Sequence, residues 1–242
     1  MTGHDSAAHD HKPTRPRRSR SIRLLSVFLI AAAAALPALL ITSLIVQREQ
    51  SAGDANRPSI AVPEDAGIVV PPFEFTDMNG STITEDYLDG RYTVMDFFFT
   101  HCPFACPGMA AQMKRVQAET RGTGVQMLSI SVDGERDTPY RIRRYAEGLG
   151  ADPARWRFAT GNPRRVAEFC RDGLKFAISV DKSTLIPLPE GDSMANIHHP
   201  TRLILIGPDR RMLATASYTI DEEVDQLIEF ASRLASRSDI GG

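Results

Sequence analysis

Cys102 and Cys106 are the residues of this chain best placed for chemistry. They lie in the run Thr100-His101-Cys102-Pro103-Phe104-Ala105-Cys106-Pro107, with three residues between them. The near-continuous apolar run YTVMDFFF (92–99) precedes them and helix-forming sequence follows. Thiols at such a junction meet a helix dipole and free backbone N–H groups, which stabilise thiolate and lower the thiol pKa. Thiolate attacks disulfides and binds metals, selecting soft copper(I) or zinc. The competing structural explanation is an inert disulfide or a pair of buried thiols. Three cysteines in 242 residues are too few for a disulfide scaffold.

Three further side chain types bear on that loop. Asp96 sits six positions before Cys102, inside the apolar run. A carboxylate there is desolvated, with a raised pKa, and suits the role of proton acceptor for a thiol; a satisfied polar group at a strand end is the alternative. His198-His199-Pro200-Thr201 precedes the apolar run TRLILIG (201–207). Imidazole binds copper beside thiolates, whereas an isolated His pair before a strand is otherwise a surface turn. Cys170, in VAEFCRDG, shares an apolar face with Val166 and Phe169 and reads as a buried structural thiol rather than a third sulfur ligand. Met109 and Met113 lie one helical turn apart; Met113 reads as core, and the thioether of Met109 is open to either role.

The elements that must position these residues read as one α/β domain. PFEFTDMNGSTIT alternates and carries Asn79-Gly80, a hairpin signal. YTVMDFFF and VQMLSISV (125–132) are buried strands joined by a helix with Pro107 at its first position, the order of a βαβ unit. Thr138 caps a second helix over 139–148, and Asn162-Pro163 opens a third to about Asp172. TRLILIG pairs with the run 211–218 through Pro208-Asp209-Arg210, and DEEVDQLIEFASRL (221–234) is amphipathic with acids in its first turn. A mixed sheet with helices on both faces follows.

The N-terminal part has a different character. Residues 24–46 are 23 residues without a charge. As a helix they span about 35 Å, enough to cross a hydrocarbon core, with Pro37 tolerated inside it. Six basic residues against two acidic ones in 1–23 place the N-terminus in the cytoplasm and the body outside. The alternative is a cleaved secretory signal. The organisation expected is a basic disordered tail (1–23), a transmembrane anchor (24–46), a linker (47–70), the domain (71–236) and a C-terminal tail (237–242). His4, His9 and His11 lie in the first tail, which reads as solvated. The body is mildly acidic, which excludes a general nucleic-acid binder.

Taken together, FTHCPFACP, SVDGERDTP (131–139), WRFATG (156–161) and HPTRLILIGPDRR resemble the Sco/SenC family. The resemblance spans roughly residues 70–235. It implies a thioredoxin-like fold, with a mixed central sheet and flanking helices behind one transmembrane helix. It also implies one copper per chain, as copper(I) or copper(II), held by Cys102, Cys106 and His199, with Asp133 beside the site. His199 matches the family's histidine because it stands nine residues before Pro208. Implied partners are cytochrome c oxidase subunit II or its assembly factors, and a copper donor protein. The implied location is the inner membrane, with the domain in the periplasm. Two departures stand out. Pro200 follows the ligand histidine where the family has a small hydroxylic residue, and Pro200-Thr201 looks like the cis-Pro loop of thioredoxins. Gly134 stands where the family has Pro.

Three functions fit these residues: a copper chaperone, a membrane-tethered thiol–disulfide oxidoreductase with His199 a bystander, and a copper or redox sensor signalling through the tail. A peroxidase fits poorly. Peroxiredoxins keep Thr or Ser three positions before the reactive cysteine, whereas Thr100 lies two before Cys102.

Overall fold

The computed structural model describes residues 59–60, 62 and 67–238. The tail, the anchor segment 24–46 and most of the linker lie outside these residues. Among the described residues no helix is long and apolar enough to cross a membrane.

The hairpin comes first. β1 (Glu74–Asp77) and β2 (Thr82–Thr84) pair antiparallel around Asn79-Gly80. Gly80 takes a φ of 84°, and the Asp77 carboxylate accepts from Asn79 N and Ser81 N, so the side chain completes the turn. β3 (Thr93–Phe98) and β4 (Gln126–Ser131) run parallel and are buried at every position. Burial on both faces is why their sequences are continuous apolar runs instead of alternating ones. β5 (Trp156–Thr160), part of WRFATG, adds parallel to β4; its five residues carry no strand signal that the sequence alone makes plain. β8 (Arg202–Ile206) pairs antiparallel with both β3 and β9 (Met212–Ser217). The sheet order is β2-β1-β5-β4-β3-β8-β9, a mixed sheet, as expected. β6 (Ser179–Pro187) and β7 (Ser193–His198) form a separate two-stranded hairpin, also not apparent from sequence.

Among the described residues, four α-helices flank the sheet. α1 (Ala105–Glu119) buries Cys106, Met109, Ala110, Met113 and Val116, the spacing of one helical face. It begins two residues before Pro107, so Cys106 lies inside its first turn; Pro107 fits there because first-turn N–H groups have no intrahelical partner. α2 (Pro139–Leu149) is capped by Thr138, whose side chain accepts from Arg141 N, and it stops at Gly150 with φ 70°. α3 (Pro163–Glu168) is capped by Asn162 and widens into a π-turn over Phe169–Gly173, which carries Cys170. α4 (Asp221–Ser238) runs four residues beyond its predicted end.

Part of the segment expected to be linker packs on the domain. Ile60 and Val70 are buried in the core. Thr215 N donates to Ile60 O, Val62 N to Leu213 O, and Met212 N to Ile68 O, so this segment covers the edge of β9.

The backbone bears on both departures from the family pattern and explains the one at Gly134. No peptide bond among the described residues is cis, so the Pro200-Thr201 loop resembles the thioredoxin loop in sequence but has a trans peptide. Gly134 has a steric reason: a Cβ there would lie 1.7 Å from Gly161 O, so the β4–α2 connection passes too close to the β5–α3 turn for any side chain.

Candidate metal centre

β3 delivers the cysteine loop. Its parallel register sets Asp96 against Ser129 and Phe98 against Ser131. The loop then turns back, Cys102 N donating to Phe99 O at 3.2 Å. Its anchor is Asp137, which in the sequence reads only as the approach to a helix. The fully buried Asp137 carboxylate accepts from Thr100 N at 3.0 Å, Thr100 Oγ1 at 2.5 Å and Ser131 Oγ at 2.6 Å. One carboxylate thus ties the loop before Cys102 to the end of β4. The signal was in the sequence, since Asp137 is the second aspartate of SVDGERDTP, but its spacing to Thr100 exists only in three dimensions.

The residue before α1 is Phe104, which offers no side-chain cap. The backbone N–H groups of Phe104 and Cys106 instead serve the Cys102 sulfur, the role a Ser or Asp oxygen plays at other helix starts. Cys106 is 2% exposed and Cys102 9%. All three cysteines are free thiols. The two loop thiols share a proton: that on Cys106 is donated to Cys102, and this hydrogen bond is the main cause pulling Cys102 down to about 3. The same bond, then burial, pushes Cys106 up. The pair therefore presents one thiolate and one thiol.

His199 closes the cluster from the end of the β6–β7 hairpin. Its Nε2 lies 3.5 Å from Cys106 Sγ, and its ring stands edge-on to Phe99 with centroids 5.8 Å apart. Nδ1 lies 3.1 Å from Pro200 O. A carbonyl only accepts, so Nδ1 is the donor in this contact and Nε2 faces the sulfurs. Donor atoms of Cys102, Cys106 and His199 all lie within 4.8 Å of one another, an arrangement fit to hold one metal ion. His198 is exposed and points elsewhere, its Nε2 3.5 Å from Asp181.

Asp96 is 3% exposed and accepts from Ser129 Oγ, which in turn accepts from Trp156 Nε1 at 2.9 Å. Burial raises Asp96 to about 6, opposed by the Ser129 bond and the His199 charge. It is therefore both a satisfied polar group and a carboxyl that titrates near neutrality within electrostatic reach of Cys106. Asp133 is buried and shifted upward by desolvation. Its Oδ1 accepts from Arg136 at 2.9 Å and its Oδ2 has no hydrogen-bond partner among the described residues. The hydrogen bonds described for it do not reach the two cysteines or His199. His101 turns from the cluster toward Arg141. Cys170 is fully buried and its thiol is pushed up by desolvation, which leaves it inert. Met109 and Met113 are both fully buried.

The arrangement can do two things: hold a soft ion between two sulfurs and an imidazole, or cycle the two sulfurs between dithiol and disulfide. Comparison with known proteins bears on the choice. The family model described as SCO1/SenC matches residues 62–234. The SCO1 protein homolog of Bacillus subtilis is 29% identical over 161 residues, covering 66% of this chain and 79% of that protein. Bradyrhizobium japonicum ScoI, solved with copper bound, is 26% identical with a TM-score of 0.54, covering 67% of this chain and 99% of that one. BsSco, a member of the Sco family of cytochrome c oxidase assembly proteins in which a disulfide switch was identified, is 28% identical with a TM-score of 0.57, covering 70% of this chain and 94% of that one.

Proposed function

The chain belongs to the SCO1/SenC family, and from that membership and the cysteine–histidine geometry we propose that it binds one copper ion per chain and hands it on during assembly of cytochrome c oxidase. The observation that carries the reading is the convergence of His199 on Cys102 and Cys106, the latter 93 residues before it in sequence, with all three donor atoms within 4.8 Å of one another. Two sulfurs and one imidazole suit copper(I). Copper bound in Bradyrhizobium ScoI and the oxidase-assembly role of the Sco family support the same reading.

The pair's protonation fits a site that both loads and unloads. Cys102 offers a thiolate at once, while Cys106 keeps a proton that copper must displace. Affinity therefore rises with pH as that proton becomes easier to remove. Two ligands come from one loop and the third from another, which leaves the ion accessible to a partner's ligands. Oxidation to a Cys102–Cys106 disulfide removes both thiolates, so copper holding and redox state are coupled.

In this reading residues 24–46 anchor the protein in the inner membrane, with the N-terminus in the cytoplasm and the domain in the periplasm. The receiving partner is subunit II of the oxidase or one of its assembly factors, and a separate donor protein supplies the copper.

A second reading is thiol–disulfide exchange on a partner's cysteine pair. The observation that favours it is the strongly lowered Cys102 beside a proton-holding Cys106, the arrangement of an attacking and a resolving thiol. The variant His199→Ala separates the two. Copper retention should fall while reduction of a disulfide substrate persists. Retention of copper at wild-type strength contradicts the ligand assignment.

A further inference from the structure

His101 stands immediately before Cys102, a metal-binding residue type that the cluster leaves out. Consecutive Cα atoms are about 3.8 Å apart, so an imidazole free to turn there lies close to any ion held by Cys102. Its addition would change which ion the site prefers. Two thiolates with two imidazoles form the closed tetrahedral set of structural zinc sites, whereas two thiolates with one imidazole leave a position open. The fold keeps the His101 ring engaged elsewhere. Arg141, in the first turn of α2, sets its Nη1 against His101 Nε2. A guanidinium donates and never accepts, so Nε2 accepts this bond with its lone pair, the same lone pair a metal would take. The neutral ring then carries its proton on Nδ1, 3.5 Å from Thr100 Oγ1. That hydroxyl in turn donates to Asp137 Oδ1. Arg141, His101, Thr100 and Asp137 thus form one directional chain that ends at the buried anchor of the cysteine loop. Arg141 is itself held on two sides. Its backbone N donates to Thr138 Oγ1 at 3.3 Å, and its Nη2 lies 3.9 Å from Glu190 Oε1 in the turn between β6 and β7.

We infer that Arg141 is a specificity-determining residue of the metal centre: by occupying the His101 lone pair it limits the donor set to Cys102, Cys106 and His199 and so disfavours zinc against copper(I). The inference rests on the metal reading of that cluster. The two sulfurs do not make this choice by themselves, since thiolates select both copper(I) and zinc. Arg141 acts against the wrong ion rather than for the right one. Copper(I) needs no fourth donor from the chain, and a site of three donors stays open to a partner's ligand. Arg141 does this without touching the ion, by holding the neighbouring ring in one tautomer and one orientation.

The test uses the full chain in detergent, reduced, with His4, His9 and His11 replaced by Ala so that the tail takes no metal. Zinc affinity is measured by competition with a chromophoric chelator. Arg141→Ala should bind zinc at least about tenfold more tightly than this parent, the effect of freeing one hydrogen bond to a charged group. X-ray absorption of the zinc complexes should count two imidazoles in Arg141→Ala and one in the parent. Replacing His101 by Ala as well should return zinc affinity to the parent's. Unchanged affinity in Arg141→Ala, two imidazoles in the parent, or a gain that survives the loss of His101 each overturns the proposal. Arg141→Gln, whose side chain is too short to reach the ring, should show the same gain and decides the matter if the alanine chain does not fold. His101→Ala alone should leave copper(I) affinity unchanged; a fall makes His101 a ligand in the parent and overturns the proposal too. If the parent takes no copper(I), the copper reading of the cluster fails, while the zinc comparison still decides the role of Arg141.

Discussion

At the scale of the residue, desolvation in and just after β3 works against charge on both Asp96 and Cys102, and only Cys102 has donors enough to reverse it. It pushes Asp96 up, and it makes the Cys102 thiolate depend on donors supplied by Cys106 and the start of α1. The raised Asp96 sets a sign for stability. Its folded pKa, about 6, exceeds the ordinary carboxyl value of 3.8. Between those values the folded chain binds more protons than the unfolded one, so this group's contribution falls as pH rises from about 4 to 6 and is level above that. A pKa raised this far is worth about 3 kcal/mol across the window. Asp96→Asn keeps an acceptor for Ser129 and removes the charge. Denaturant titrations of both proteins should show the variant gaining on the wild type across that window. A constant difference from pH 4 to 7 contradicts the assignment.

Sequence carried much at this scale and lost some of it. The residue types of the CPFAC loop announced soft-metal or thiol chemistry, and the oddity of one acid in TVMDFFF marked Asp96. The role of Asp137 was hidden, because a carboxylate that accepts from Thr100 and Ser131 is indistinguishable in sequence from one that begins a helix. Asp133, beside the site by resemblance, spends one oxygen on Arg136.

At the scale of the element, Asp137 and Thr138 allow a comparison of neighbours. Thr138 caps α2 with one bond to Arg141 N, and its replacement by Ala should cost about 1 kcal/mol. Asp137→Ala strands two donors on Thr100 and one on Ser131 in a buried site, and should cost about 3 kcal/mol or more. Chemical denaturation measures both. Equal costs would show that Asp137 does not anchor the cysteine loop.

Elements with strong periodic or apolar patterns were legible: β3, β4, β8 and α4. The β6–β7 hairpin was not. Its strands are mostly exposed, including Val180 and Leu185, and a bulge between Asp181 and Leu185 breaks the alternation that marks a strand. That hairpin carries His199, so the third donor was found by doublet and resemblance instead of by its supporting element. The start of α1 was misplaced for a related reason. Proline is tolerated throughout a first helical turn, so Pro107 bounds the helix only to within a few residues.

At the scale of the whole molecule, the edge of the sheet is finished by chain that precedes the domain as read from sequence. Ile60 and Val70 are buried, and three backbone bonds tie residues 60, 62 and 68 to β9. Removing this segment bares apolar surface and an unpaired strand edge. A chain beginning at residue 58 should therefore melt higher than one beginning at 71, and the shorter one should self-associate more readily. Equal melting temperatures would show that the segment contributes nothing to the fold.

The central claim also lives at this scale, because its donors come from a loop and a hairpin that only the complete fold brings together. Metal analysis of the purified chain, first with its thiols reduced and then after oxidation, tests it most directly. One copper per reduced chain, absent once Cys102 and Cys106 are joined, is the expected result; no copper in either state would contradict it.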